Sequence, residues 1–149
     1  ICTDERITTF FASDTQNHST GALVWQQWLD TLAAIEGPVH LSIDIDGLDG
    51  SIVPATGTPV PGGLSYWQVV ETIETIFAAK NAIIISADIN EIVPQLDSPL
   101  TQFTAAMLAG KIVSNHINAK NEGRWNSTSK QLGKNRENRF INYFYTGGF

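Results

Sequence analysis

Apolar and polar positions along this chain change period several times, and each change marks an element. Val39-His40-Leu41-Ser42-Ile43-Asp44-Ile45-Asp46 alternates strictly, with Val39, Leu41, Ile43 and Ile45 apolar and the other four polar. A period of two predicts a β-strand with both aspartates on one face. Ile83-Ile84-Ile85-Ser86-Ala87 is instead a continuous run, which predicts a strand covered on both faces. Helical spacing occurs three times. Val24, Trp25, Trp28, Leu29 and Leu32 predict a helix capped by Ser19 or Thr20 and ended by Gly37-Pro38. Val70, Ile73, Ile76 and Phe77 predict a second, from Tyr66 to about Ala79, with Ser65 as its cap. Phe103, Met107, Leu108 and Ile112 predict a third, opened by Ser98 and Pro99 and running to about Asn118, with those four side chains in the core. The β-branched and aromatic segment Ile7 to Ala12 predicts one more strand, and Asp14 to Gly21 a polar loop.

Strand, long loop, helix, strand, loop, helix is the order of an α/β fold with parallel pairing. The loop from Gly47 to Gly63 is rich in Gly and Pro. It is long for a connection inside a compact domain, and such loops are often functional. Function in parallel sheets sits beyond the carboxyl ends of the strands. Asp44, Asp46 and Asp49 follow one strand, and Asp88 and Glu91 the next. The expected result is five carboxylates aimed at one crevice.

The 149 residues, 42% apolar and 16% charged, fit one globular domain and exclude a disordered, collagen-like or disulfide-rich chain. A single cysteine, Cys2, excludes an intrachain disulfide and a Cys-rich zinc site. No apolar run approaches the ~20 residues that span a bilayer, so no membrane partner is expected. Residues 1–6 show no signal peptide, and the first residue is not Met. The expectation is a cytoplasmic protein, and a chain that is a piece of a longer or processed one. Residues 1–118 carry three basic and thirteen acidic side chains, and residues 119–149 six basic and two acidic. The acidic body disfavours nucleic acid. The basic, Asn-rich end reads as a solvated tail, which divides the chain into 1–118 and 119–149.

Two aspartates one residue apart at a strand end are costly unless a counter-charge faces them. Carboxylate oxygens suit hard cations such as Mg²⁺, Ca²⁺ and Mn²⁺. The plainer alternative is that one aspartate caps the loop while the other is solvated.

Ser42-Ile43-Asp44-Ile45-Asp46-Gly47-Leu48-Asp49, followed by Pro54-Ala55-Thr56-Gly57-Thr58-Pro59-Val60-Pro61-Gly62-Gly63-Leu64, closely resembles the motif of the ureohydrolases. This family includes arginase, agmatinase, formimidoylglutamase and guanidinobutyrase. Asp88-Ile89-Asn90-Glu91-Ile92-Val93-Pro94 is similar to the family's second C-terminal motif, and the resemblance covers about residues 7–118. It implies a three-layer α/β/α fold with a parallel sheet, two Mn²⁺ ions, and hydrolysis of a guanidino or formimino C–N bond, commonly with urea release. By position Asp44 matches a metal-bridging carboxylate and Asp46 a ligand mainly to one ion. Glu91 matches the carboxylate that receives the guanidinium, and Thr58 a polar loop residue near the substrate. Asp49 matches a residue that orders the loop. A pair of metals lowers the pKa of a bridging water and holds the hydroxide that attacks the guanidino carbon.

The chain departs from the family's pattern in three ways. Family members are about twice as long, and the His and Asp-x-His-x-x-x-Asp ligands of their N-terminal half have no counterpart here. His18, His40 and His116 stand in no ligand motif. Gly50 replaces the usual proline after the third aspartate, which is expected to loosen the loop. The expectation is the C-terminal part of a ureohydrolase, with an incomplete sheet, inactive by itself, and a homo-oligomer (trimer or hexamer) when full-length. The competing readings are a non-catalytic binding or assembly module, and an isolated Mg²⁺- or Ca²⁺-binding domain. The Gly57-Thr58-Pro59-Val60 variant leans toward arginase-like members, with agmatine and formimidoylglutamate as other substrates.

Overall fold

Ser65 starts the helix that organises the core. Its hydroxyl accepts the Gln68 amide at 3.3 Å, and the Gln68 side chain accepts the Ser65 amide at 2.9 Å, a reciprocal cap. The computed structural model describes residues 6–95, 98–125 and 140–143. In chain order these form β1 (Ile7–Phe10), α1 (Ala12–Thr15), α2 (Gly21–Ala33), β2 (Glu36–Asp44), α3 (Tyr66–Ala78), β3 (Asn81–Asn90), α4 (Leu100–Asn121) and β4 (Phe140–Tyr143).

β2 and β3 pair in parallel, from Glu36↔Asn81 to Asp44↔Asn90, with an irregularity between Val39 and His40 that leaves Ile85 out of register. One face of the pair carries Val39, Leu41, Ile43, Ala82 and Ile84 into a core with Trp28, Leu32, Val69, Ile73, Phe77 and Leu108. The parallel sheet and covering helices are the α/β fold expected. The opposite face behaves differently from the expectation. Ile85 is 65% exposed, so the continuous apolar run is buried on one side only among the described residues. β2 and β3 have no other strand partner among the described residues. The sheet is an incomplete version of the α/β/α architecture.

Three helical details also differ from the pattern. α2 stops at Ala33, before the Gly37-Pro38 breaker, and both of those residues lie in β2. Its N-cap Thr20 makes no side-chain cap bond. Instead Asn17 Oδ1 accepts the Ser19 and Thr20 amides, and the Asn17 carbonyl accepts the Gly21 amide at 2.8 Å. α4 buries Thr101, Thr104, Ala105, Leu108 and Ala119, with Ile112 at the margin, whereas Phe103 and Met107 are exposed. The expected core stripe was rotated because two threonines hold α4 to the 48–65 loop. Thr101 Oγ1 accepts the Ala55 amide at 2.9 Å, and the Thr104 hydroxyl donates to the Ile52 carbonyl at 3.2 Å.

α4 runs past residue 118 to Asn121, and Trp125 returns to the core against Phe77 (ring centroids 6.0 Å apart). β4, in the stretch expected to be a tail, pairs in parallel with β1, Ile7↔Phe140 to Phe10↔Tyr143. The rest of that stretch, 126–139 and 144–149, lies outside the described residues, as does Cys2. Among the described residues no helix is long and apolar enough to cross a membrane.

Candidate active site

β2 ends two residues earlier than its alternation suggests. Asp44 Oδ1 accepts the Asp46 amide at 3.0 Å and opens a single 3-10 turn, Ile45–Gly47. A short Asp side chain that bonds the backbone two residues ahead competes with the sheet ladder. Asp46 is therefore carried by the turn and not by the strand. Its Oδ2 accepts the Thr58 hydroxyl at 2.6 Å, while its Oδ1 is buried without any hydrogen-bond partner. The plainer reading of the pair describes Asp44, which caps the turn. It does not describe Asp46, whose second oxygen is withdrawn from water and unmatched. Such an oxygen is costly unless a donor or cation meets it.

Glu91 follows the last residue of β3 with φ 62°, the one positive-φ residue besides glycine among the described residues. Its Oε2 reaches the backbone of Gly57, only 3.8 Å from where a Cβ there would stand. Gly57 precedes Thr58, so the loop brings Glu91 to the Thr58–Asp46 pair. Beyond Glu91 the Val93 amide donates to the Ala55 carbonyl at 3.0 Å, which ties β3's exit to the same loop. A strained backbone at a strand end, held from both sides, is the kind of outlier that accompanies function.

Asp49 turns into the loop. Its Oδ1 accepts the Ser51 amide (2.9 Å) and hydroxyl (2.5 Å), and its Oδ2 the Gly62 amide (2.7 Å). The Ser51 hydroxyl, then the Ser51 and Gly62 amides, hold this carboxyl below its usual range. At Gly62 φ is 82°, and a Cβ on Gly63 would fall 2.4 Å from the Leu48 carbonyl carbon, so only glycine admits this close approach. Gly50 does not leave the loop untied. Its amide donates to the Val60 carbonyl at 2.8 Å, a bond a proline has no N–H to make.

Asp88 lies inside β3, not after it, and projects from the open face of the sheet. The five carboxylates therefore do not converge. Asp44 and Asp46 share the 3-10 turn, Glu91 faces Gly57 of the loop, Asp49 is taken up by Ser51 and the Gly62 amide, and Asp88 bonds Ser42, Asn90 and His40. His40 lies with its Nδ1 2.7 Å from Ser86 Oγ and its Nε2 3.1 Å from Asp88. His116 packs on Trp125 with ring centroids 4.8 Å apart, and His18 is exposed. No group of three His, Cys, Asp or Glu among the described residues could hold a metal ion. Asp44 and Asp46 fit a hard cation by donor type and by the unmatched Asp46 oxygen, as two members of a larger set. Sequence reasoning missed Thr101, Thr104 and the Asp88 bonds, because threonines on a helix face and polar residues on a strand give no distinctive spacing.

The Arginase family profile matches residues 2–115. N(1)-aminopropylagmatine ureohydrolase of Thermus thermophilus is 41% identical over 91 residues, which cover 61% of this chain and 29% of that protein. Arginase-1 of Oryctolagus cuniculus is 51% identical over 59 residues, 40% of this chain and 18% of that protein. The native arginase structure from Bacillus caldovelox superposes with a TM-score of 0.53 at 38% identity, covering 64% of this chain and 33% of that one. The chain thus spans less than a third of the length of these relatives. The profile match and the shared fold together establish that this chain belongs to the arginase family.

Proposed function

We propose that this chain supplies two metal-ligating aspartates and a guanidinium-binding glutamate to a ureohydrolase site acting on an agmatine- or arginine-like substrate. The observation that carries the reading is Asp46: Thr58 holds one carboxylate oxygen, and the other is buried and unpaired. Asp44 and Asp46 are the residues that would hold Mn²⁺, and Mn²⁺, when bound, supplies an activated water at neutral pH. Thr58 fixes the rotamer of Asp46, so the carboxylate is oriented before any ligand arrives. Glu91 receives the planar guanidinium through charge-assisted hydrogen bonds and sets its distance from the aspartates. Asp49 keeps the loop that carries Thr58 closed. Relatives named for aminopropylagmatine and for arginine both match this chain, which supports a guanidino group as the common part of the substrate.

The test is urea release from agmatine, N(1)-aminopropylagmatine and arginine by the complete protein loaded with Mn²⁺. Activity that Asp46→Ala nearly abolishes together with bound metal supports the reading. Metal-dependent activity that survives Asp46→Ala shows the site lies elsewhere, and no urea from any of the three together with no formamide from formimidoylglutamate favours the non-catalytic module.

A further inference from the structure

The open face of the β2–β3 pair carries a polar assembly with no part in the chemistry described so far. Asp88 Oδ1 accepts the Ser42 hydroxyl at 2.7 Å and the Asn90 side-chain amide at 2.7 Å. The same Asn90 amide also donates to Ser42 Oγ at 3.2 Å. Asp88 Oδ2 lies 3.1 Å from His40 Nε2. Ser42 stands opposite Asp88 in the ladder, and Asp44 opposite Asn90. The Asp88 carboxylate therefore spans the two strands one step before they deliver Asp44 and Glu91.

Where that span acts follows from the backbone. Asp44 is secured by its own turn, through the Asp46 amide. Glu91 is not secured by itself, since φ 62° is unfavourable for a residue with a Cβ and persists only where the surroundings impose it. Downstream the imposing contact is the Val93 amide on Ala55. Upstream it is Asn90, whose side chain ends on Asp88 and Ser42. Removing the Asp88 carboxylate loosens the upstream side alone, where Asn90 keeps its ladder pairing with Asp44 and the longer 3.2 Å bond to Ser42 but loses its 2.7 Å anchor.

We propose that Asp88 is a positioning residue, which through Asn90 holds Glu91 in its left-handed conformation and so sets the guanidinium-binding carboxylate against Asp44. The Ser42 hydroxyl and the Asn90 amide need an acceptor on residue 88, and an amide oxygen serves as well as a carboxylate oxygen. Substitution by Asn therefore retains both bonds, whereas Ala loses them.

The inference rests on Glu91 being the guanidinium carboxylate, so the experiment reads geometry and kinetics separately. In the complete Mn²⁺-loaded protein, Asp88→Ala is expected to raise KM for the guanidino substrate by about tenfold or more, with kcat and bound metal changed far less. Asp88→Asn is expected to recover most of that loss. In the same variants, isotopically labelled and prepared without the paramagnetic Mn²⁺, the Glu91 Cα and Cβ shifts are expected to leave their left-handed values in Asp88→Ala and to keep them in Asp88→Asn. An Asp88→Ala protein with unmoved Glu91 shifts overturns the proposal, as does an Asn variant as impaired as the Ala variant. Shifts that move as expected in a protein that hydrolyses no guanidino compound uphold the positioning role and instead remove the functional reading of Glu91.

Discussion

Glu91 shows how a single backbone angle separates stability from function. Its positive φ costs free energy that glycine does not pay, and glycine in turn loses more freedom on folding. The balance favours Glu91→Gly by about 0.5–1 kcal/mol of stability, while the role proposed for Glu91 predicts loss of guanidino-substrate binding. Denaturant unfolding alongside substrate affinity checks both, and an equally stable or destabilised glycine variant would show that φ at this position is not strained. Asp46 teaches a related lesson. Its neighbour two residues back, Asp44, takes the Asp46 amide, so the chain leaves the strand just where alternation predicts that it continues. The residues of the candidate site stood out because a Gly- and Pro-rich loop between two acidic segments is distinctive. Their mutual placement was not, because which oxygen of Asp46 meets Thr58 depends on a loop that returns twelve residues later.

Loop and helix pack as one unit at the scale of elements. The 48–65 loop is closed on itself by Asp49 and on α4 by Thr101 and Thr104. The Asp49 carboxyl is held below its usual value of 3.8, so its stabilisation is present above that pH and lost as pH falls through the lower folded value. The unfolding midpoint is expected to drop as pH is lowered below 3.8, and Asp49→Asn to flatten that part of the curve. An identical pH slope in the variant removes Asp49 from the loop's closure. The α4 register makes a sharper comparison. Leu108 is fully buried and Phe103 is 65% exposed. Leu108→Ala is expected to cost about 2–5 kcal/mol, and Phe103→Ala to stay within about 0.5 kcal/mol, in equilibrium unfolding. Reversed magnitudes would mean that α4 packs by the face its apolar spacing first suggests. That spacing misled because two apolar stripes share the helix, and polar bonds from Thr101 and Thr104 decide between them. α3 posed no such choice, having one apolar face and a reciprocal cap, and its boundaries followed from sequence.

For the whole molecule, the sheet face opposite the helices is the feature with consequences. His40, Ser42 and Ser86 make it polar around Asp88, yet Ile85 stands out of register on it, and each strand keeps a free edge among the described residues. Unpaired edges and exposed apolar positions promote association. Ile85→Lys is expected to leave the unfolding midpoint nearly unchanged while reducing concentration-dependent light scattering of the chain. Scattering that persists would place the associating surface elsewhere, as on the exposed stripe of Phe103 and Met107. Sequence by itself determined α2, α3, α4 and the strands β1, β2 and β3, the parallel order and the identity of the acidic and loop residues, because these follow from local periodicity and from a long, unusual motif, whereas α1 and β4 were not read from it. Tertiary structure alone decided which faces are buried, that Trp125 returns to the core, that β4 joins β1, and that Asp46 is left with an unmatched oxygen. Those are properties of contacts between segments far apart along the chain, and no local pattern encodes them.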